Sequence, residues 1–141
     1  MLEAAVEGAC EGSRGDPPDV VAVTVLTSLD GPALEELGLH RPPHDVVLGW
    51  ARLARECALA GVVASAREAA MVRQACGGGF LIVTPGIRPA TSDRDDQLRV
   101  LSPAKAIQAG ADILVVGRPV TRADDCAAAA RSIVEEMSSA V

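Results

Sequence analysis

Four short runs of aliphatic, largely β-branched residues punctuate the chain: VVAVTVL at 20–26, GVVA at 61–64, FLIV at 80–83 and ILVV at 113–116. Such runs lack the polar alternation of a sheet that is wet on one face. They predict strands covered on both faces, as in a parallel sheet. Parallel neighbours need helical crossovers, and helical patterns do lie between the runs.

Residues 2–10 can form a helix closed by Gly12. Asp45 is expected to cap a helix to about residue 59, in which Val46, Val47, Trp50, Leu53, Ala54 and Cys57 follow the 3.6-residue period, so that Trp50 is read as packing. Ser65 and Glu68 have the S-x-x-E spacing of a capping box. Ser102 before Pro103 starts another helix and Gly110 stops it. Asp124 or Asp125 opens the last helix, which runs towards Met137. The pattern is β-α repeated four times after an opening helix.

Right-handed βαβ units leave two architectures, an open doubly wound sheet or an arc of a (β/α)8 barrel. No G-x-G-x-x-G follows the first run, and G-x-x-x-x-G-K-[ST] is absent. Thr27 and Ser28, Ser65, Thr84, and Gly117 with Arg118 all fall where an apolar run meets its following loop. In a parallel sheet those ends share one rim, which is where barrels gather their ligands. The barrel arc is therefore the expected fold, with residues 1–141 as a single domain.

Composition narrows the function. With 49% hydrophobic residues the chain can bury a core, yet it has one Trp, one Phe and no Tyr, which removes the stacking platforms of single-strand nucleic-acid binding. A net charge of -6 argues against a polyanion partner. No apolar run approaches the length of a membrane span. Cys10, Cys57, Cys76 and Cys126 are widely spaced without a C-x-x-C pair, and no signal peptide precedes them, so reduced thiols in the cytoplasm are expected. His40 and His44 are four apart, but Pro42 and Pro43 between them forbid the helix that would make them metal ligands. No G-x-S-x-G elbow is present, so nucleophilic catalysis has no support.

The chemistry-bearing groups are arginines at the rim. Gly117 lets backbone N–H groups approach a ligand, and Arg118 supplies a planar, permanently charged fork that matches phosphate oxygens. Taken alone, this segment equally fits a turn glycine and an arginine that caps a helix or pairs with Asp124. Arg88, in the long loop at 85–101, adds a second guanidinium to the same rim, and Gln97 adds an amide that donates and accepts at once. The charged stretch at 92–96 reads as solvated. Thr24 is expected to satisfy a neighbouring carbonyl, whereas Thr27, at the strand end, can bond a ligand's polar edge.

Five segments in order, AVTVLTS at 22–28, GVVASAREA at 61–69, VTPGIRP at 83–89 with Asp96-Gln97, SPAKA at 102–106 and GADILVVGRPVT at 110–121, resemble the orotidine 5'-phosphate decarboxylase family. The opening MLEAAVE is similar to the helix after that family's fourth strand. The resemblance implies a TIM (β/α)8 barrel, here a half-barrel of four βα units preceded by a helix, which converts orotidine 5'-phosphate to uridine 5'-phosphate and CO2 with no metal or organic cofactor. It implies that Thr27 contacts the pyrimidine, that Arg88 and Gln97 close over phosphate and base, and that Gly117 with Arg118 cradles the phosphate.

The chain also departs from that pattern. The family's D-x-K-x-x-D motif, whose lysine protonates the carbanion left by CO2, is missing, and the single lysine is Lys105 on an expected helix. Strands one to four of the family pattern are missing with it. The expectation is a fragment without a catalytic residue of its own, silent by itself, whose partner is a second copy in a homodimer or a complementing N-terminal half. The other class of reading is a non-catalytic half-barrel that binds phosphorylated ligands or self-associates.

Overall fold

A computed structural model describes residues 1–89 and 101–140. The elements run α1 (Leu2–Gly12), β1 (Val21–Val23), α2 (Gly31–Glu36), α3 (Pro43–Glu56), β2 (Gly61–Val63), α4 (Ala66–Cys76), β3 (Leu81–Thr84), α5 (Pro103–Gln108), β4 (Ile113–Leu114), α6 (Arg118–Thr121) and α7 (Cys126–Ser138). The strands form one parallel sheet in the order β1-β2-β3-β4. That is the four-unit βα arc expected, with each strand pairing the next in sequence.

The helix starts follow side-chain chemistry. Ser65 caps α4, its hydroxyl accepting from the Arg67 N–H, while the Glu68 N–H donates to the Ser65 carbonyl. Ser102 caps α5 with Pro103 next to it, and the Asp125 carboxylate accepts from Ala128 N–H at 2.8 Å to open α7. The expected cap at Asp45 is corrected. Pro43 opens α3 two residues earlier and Asp45 sits inside its first turn, because proline's fixed φ suits the first helical position and its missing N–H costs nothing there. Gly77 and Gly110 follow α4 and α5 with φ of +84° and +98°, a backbone region that costs glycine nothing.

Register sorts the strand side chains into two layers. Val62 and Ile82, fully buried, face the helices with Ala22, and pack with Val47, Ala51, Ala54, Ala69 and Val72 of α3 and α4. Burying a side chain of this size contributes roughly 1.5–3 kcal/mol. Gly61, next to Val62 but on the other face of β2, is needed because a Cβ there would collide with the Leu81 backbone carbonyl. A smaller cluster of Ala66, Ile87, Ala106 and Ala111 sits around α5.

The opposite layer departs from the expectation of strands covered on both faces. Val23, Val63, Val83 and Ile113 stand in one register row across all four strands. At its ends Val23 is 59% and Ile113 47% exposed, so the inner face of the arc is open and apolar. Trp50 is likewise corrected from packing to exposed, at 40%. With Leu53, Cys57, Ala22, Val23, Thr24 and the start of α1 it lines a groove of about 410 Å³ along the free edge of β1. Among the described residues no helix is long and apolar enough to cross a membrane.

Candidate functional site

The two ends of the sheet have different chemistry. At the N-terminal end the Arg73 guanidinium donates to the carbonyls of Gly77, Gly78, Phe80 and Gly110 and to the Asp112 carboxylate, which also accepts from the Ile82 N–H at 2.7 Å. Both terminal nitrogens of Arg73 are engaged by the fold. This knot ties α4 to β3 and β4, and no local sequence signal announces it, since Arg73 and Asp112 are 39 residues apart.

The C-terminal end is less saturated. After Thr84 the chain turns through Gly86, at φ +77°, and brings Ile87 and Arg88 against Leu101, with the Arg88 N–H donating to the Leu101 carbonyl at 3.2 Å. The two ends of the 85–101 loop are thereby pinned together. Arg88 is only 8% exposed. Its Nη1 donates to the Ile87 carbonyl at 3.1 Å and its buried Nη2 has no hydrogen-bond partner. No carboxylate lies within ion-pair distance of it among the described residues. A buried guanidinium is strongly favoured to gain an anion, because an unmade charged hydrogen bond out of water costs on the order of 1–3 kcal/mol or more.

Three residues before Arg88, Pro85 helps to line a cavity of about 290 Å³ with Val23, Val25, Leu26, Thr27, Ser28, Val63 and Ala64. It lies at the C-terminal ends of β1, β2 and β3. The walls are apolar apart from Thr27 and Ser28, which occupy the middle of a turn closed by the Leu29 N–H on the Leu26 carbonyl at 3.0 Å. Thr24, one turn of the pleat below, is spent on the Val63 carbonyl at 2.7 Å, as its burial led us to expect.

The structure thus places Thr27 in this cavity and Arg88 beside it in sequence. Arg88, Gly117 and Arg118 are not among the cavity's lining residues. Gly117 precedes α6 with nothing within 4 Å of where a Cβ would stand, so one side of its backbone is open, and its carbonyl accepts from the Val120 and Thr121 N–H groups. Arg118 is the first residue of α6 and half-buried. Gln97 lies outside the described residues. Val63, Ala64 and Pro85 were not picked out as site residues from the sequence. They are the residues at or just past the ends of β2 and β3, and the rule that strand ends share one rim could have found them.

The remaining titratable groups add little here. Burial pushes the Cys76 thiol up from its ordinary value of 9.0, partly offset by Arg55, Arg52 and Arg73, but Cys76 sits in the helix layer away from this rim. All four cysteines are free, and no group of three or more His, Cys, Asp or Glu among the described residues could hold a metal. Lys105 is exposed on α5, outside the sheet.

Comparison with known proteins gives the same frame. The family model described as orotidine 5'-phosphate decarboxylase / HUMPS family matches residues 1–133. The orotidine 5'-phosphate decarboxylases of Moorella thermoacetica and Alkalilimnicola ehrlichii are 52% and 54% identical to this chain, over 97% and 98% of it and 56% and 58% of their own length. The crystal structure of orotidine 5'-phosphate decarboxylase from Lactobacillus acidophilus superposes with a TM-score of 0.83 at 34% identity, covering 97% of this chain and 58% of that one. The chain therefore spans little more than half the length of the relatives it matches. By sequence along nearly its whole length, and by the half-barrel that the sequence folds into, the chain belongs to the orotidine 5'-phosphate decarboxylase / HUMPS family.

Proposed function

We propose that this chain supplies the phosphate- and pyrimidine-binding half of an orotidine 5'-phosphate decarboxylase, which converts orotidine 5'-phosphate to uridine 5'-phosphate and CO2 in pyrimidine synthesis. The observation that carries the reading is Arg88, a buried guanidinium with an unfilled donor, three residues past Pro85 of the Thr27 cavity. The phosphate takes the Arg88 and Arg118 guanidinium groups and the open backbone at Gly117. The pyrimidine takes the apolar cavity, with its polar edge towards Thr27, and Gln97 closes over phosphate and base.

Chemistry needs more than this half. When the bond from C6 to the carboxylate breaks, its electron pair stays on C6 and a proton must be delivered there. The only lysine, Lys105, is on the wrong side of the sheet to do so. The ammonium donor and the carboxylates that frame it come from a D-x-K-x-x-D segment on the N-terminal half of the barrel, which also covers the Val23–Ile113 row and the free edge of β1. The domain described here is then the C-terminal half of one barrel, and the complete enzyme pairs as a homodimer. A cytoplasmic location follows from a phosphorylated nucleotide substrate.

Calorimetry on the chain assembled with such a half tests the binding role. Uridine 5'-phosphate is expected to bind far more tightly than uridine, with the difference reduced in Arg88→Ala. Equal affinity for the two ligands would reject the phosphate assignment.

A further inference from the structure

Thr27 accounts for one polar contact in a cavity that is otherwise hydrocarbon, yet a second hydroxyl shares it. Ser28 lines the same space. Neither Thr27 nor Ser28 makes a side-chain hydrogen bond within the described residues, in contrast to Thr24 just below, whose hydroxyl is held at 2.7 Å by the Val63 carbonyl. The turn from Leu26 to Leu29 holds the two residues side by side at the cavity mouth. Six of the eight lining residues, Val23, Val25, Leu26, Val63, Ala64 and Pro85, offer no side-chain polar atom.

That arrangement sets a requirement on the occupant. A planar ring edge that alternates acceptor, donor and acceptor loses its water on entering an apolar cavity and needs more than one partner to replace it. A hydroxyl can donate or accept as the opposite group demands, so two adjacent hydroxyls can serve two neighbouring atoms of such an edge. One threonine cannot.

We infer that Ser28 is a second base-recognising residue, its hydroxyl bonding the heteroatom edge of the pyrimidine next to the atom that Thr27 meets. The inference rests on the pyrimidine reading of this cavity given above. Ser28 acts on the base and not on the phosphate, which separates its effect from that of Arg88 and Arg118. Because it lies at the exposed lip of the cavity, its removal leaves the core untouched.

The test is an NMR titration of the 141-residue chain with uridine 5'-phosphate and, separately, with ribose 5-phosphate, for the wild type, Ser28→Ala, Ser28→Thr and Thr27→Ala. Loss of one neutral hydrogen bond predicts that Ser28→Ala weakens uridine 5'-phosphate by about threefold to tenfold. Ribose 5-phosphate should be unaffected, and Ser28→Thr should recover most of the loss. If Ser28→Ala leaves uridine 5'-phosphate unchanged while Thr27→Ala weakens it, the role of Ser28 is wrong and the pyrimidine reading stands. Equal weakening of both ligands would also overturn it, as an effect on phosphate or fold. A wild-type chain that binds ribose 5-phosphate as tightly as uridine 5'-phosphate, or binds neither, would overturn the pyrimidine reading itself and Ser28 with it.

Discussion

Arg73 and Arg88 are both drawn from water by the same sheet, at opposite ends, and the fold treats them in opposite ways. Arg73 spends its guanidinium on four carbonyls and the Asp112 carboxylate. Arg88, more deeply buried, donates to the carbonyl of the preceding residue, Ile87, and leaves Nη2 unmatched. Burying a charge without a partner is costly, so a chain that satisfies one arginine fully and another barely has put them to different uses. The saturated arginine joins elements to one another. The unsaturated one has a buried Nη2 still without a partner, and it is the one we propose for the phosphate. The same division separates conservative structure at the N-terminal face of barrels from ligand chemistry at the C-terminal face.

Substitutions at the two arginines should pull stability and binding apart. Arg73→Ala strands Asp112 and four carbonyls at the junction of α4, β3 and β4. It is expected to cost about 2–4 kcal/mol of folding stability in denaturant melts, the range for breaking a partly buried charged network. Arg73→Lys should recover only part of this, because a point charge cannot span five acceptors as a planar fork can. Loss of less than ~1 kcal/mol in Arg73→Ala would mean that the knot is ornamental.

Arg118→Ala, followed by Arg88→Ala, should show the reverse. Each should weaken uridine 5'-phosphate binding in the assembled barrel by roughly 1.5–3 kcal/mol, as for a hydrogen bond to a charged group. The folding stability of Arg88→Ala should hold or rise, since an unpaired buried charge is removed. A stability loss like that of Arg73→Ala would erase the distinction between the two ends of the sheet.

The buried threonines sharpen the comparison at lower amplitude. Thr24→Val deletes a 2.7 Å bond to the Val63 carbonyl and should cost about 0.5–1.5 kcal/mol. Thr84→Val removes a fully buried hydroxyl that has no partner, and should be neutral or stabilising. Smallest of all is a pH effect in the helix layer. The folded Cys76 thiol ionises above its unfolded value of 9.0, so its contribution is intact below that pH and lost as pH rises through the higher folded value. Stability should therefore fall on the alkaline side of 9.0, and Cys76→Ala should flatten that limb.

Local chemistry made much of this fold readable in advance. The caps at Ser65, Ser102 and Asp125, the stop at Gly110 and the positions of all four strands follow from residues that act within one turn of themselves. Elements that depend on less were missed. Helix α2 is six residues capped by Asp30 on the Ala33 N–H, and α6 is a single turn after Gly117, both too short to show a period. The exposure of Trp50 and Val23 was misread because an apolar stripe reports that a face wants cover, not whether this chain provides it. At the cavity, Thr27 stood out as a polar group where an apolar run meets its loop, whereas Val63 and Pro85 look like any core residues until the sheet brings the strand ends together.

The row from Val23 to Ile113 is the open apolar face that we propose the other half covers. If this half holds the nucleotide and another half supplies the proton, neither suffices alone. Co-expression of the chain with an N-terminal half bearing D-x-K-x-x-D, followed by assay for uridine 5'-phosphate, measures that directly. Turnover is expected in the co-purified complex, none from the 141-residue chain by itself, and loss of turnover when Arg88 is replaced by alanine. Decarboxylation by this chain alone, or an inert complex that nevertheless forms and folds, would contradict it.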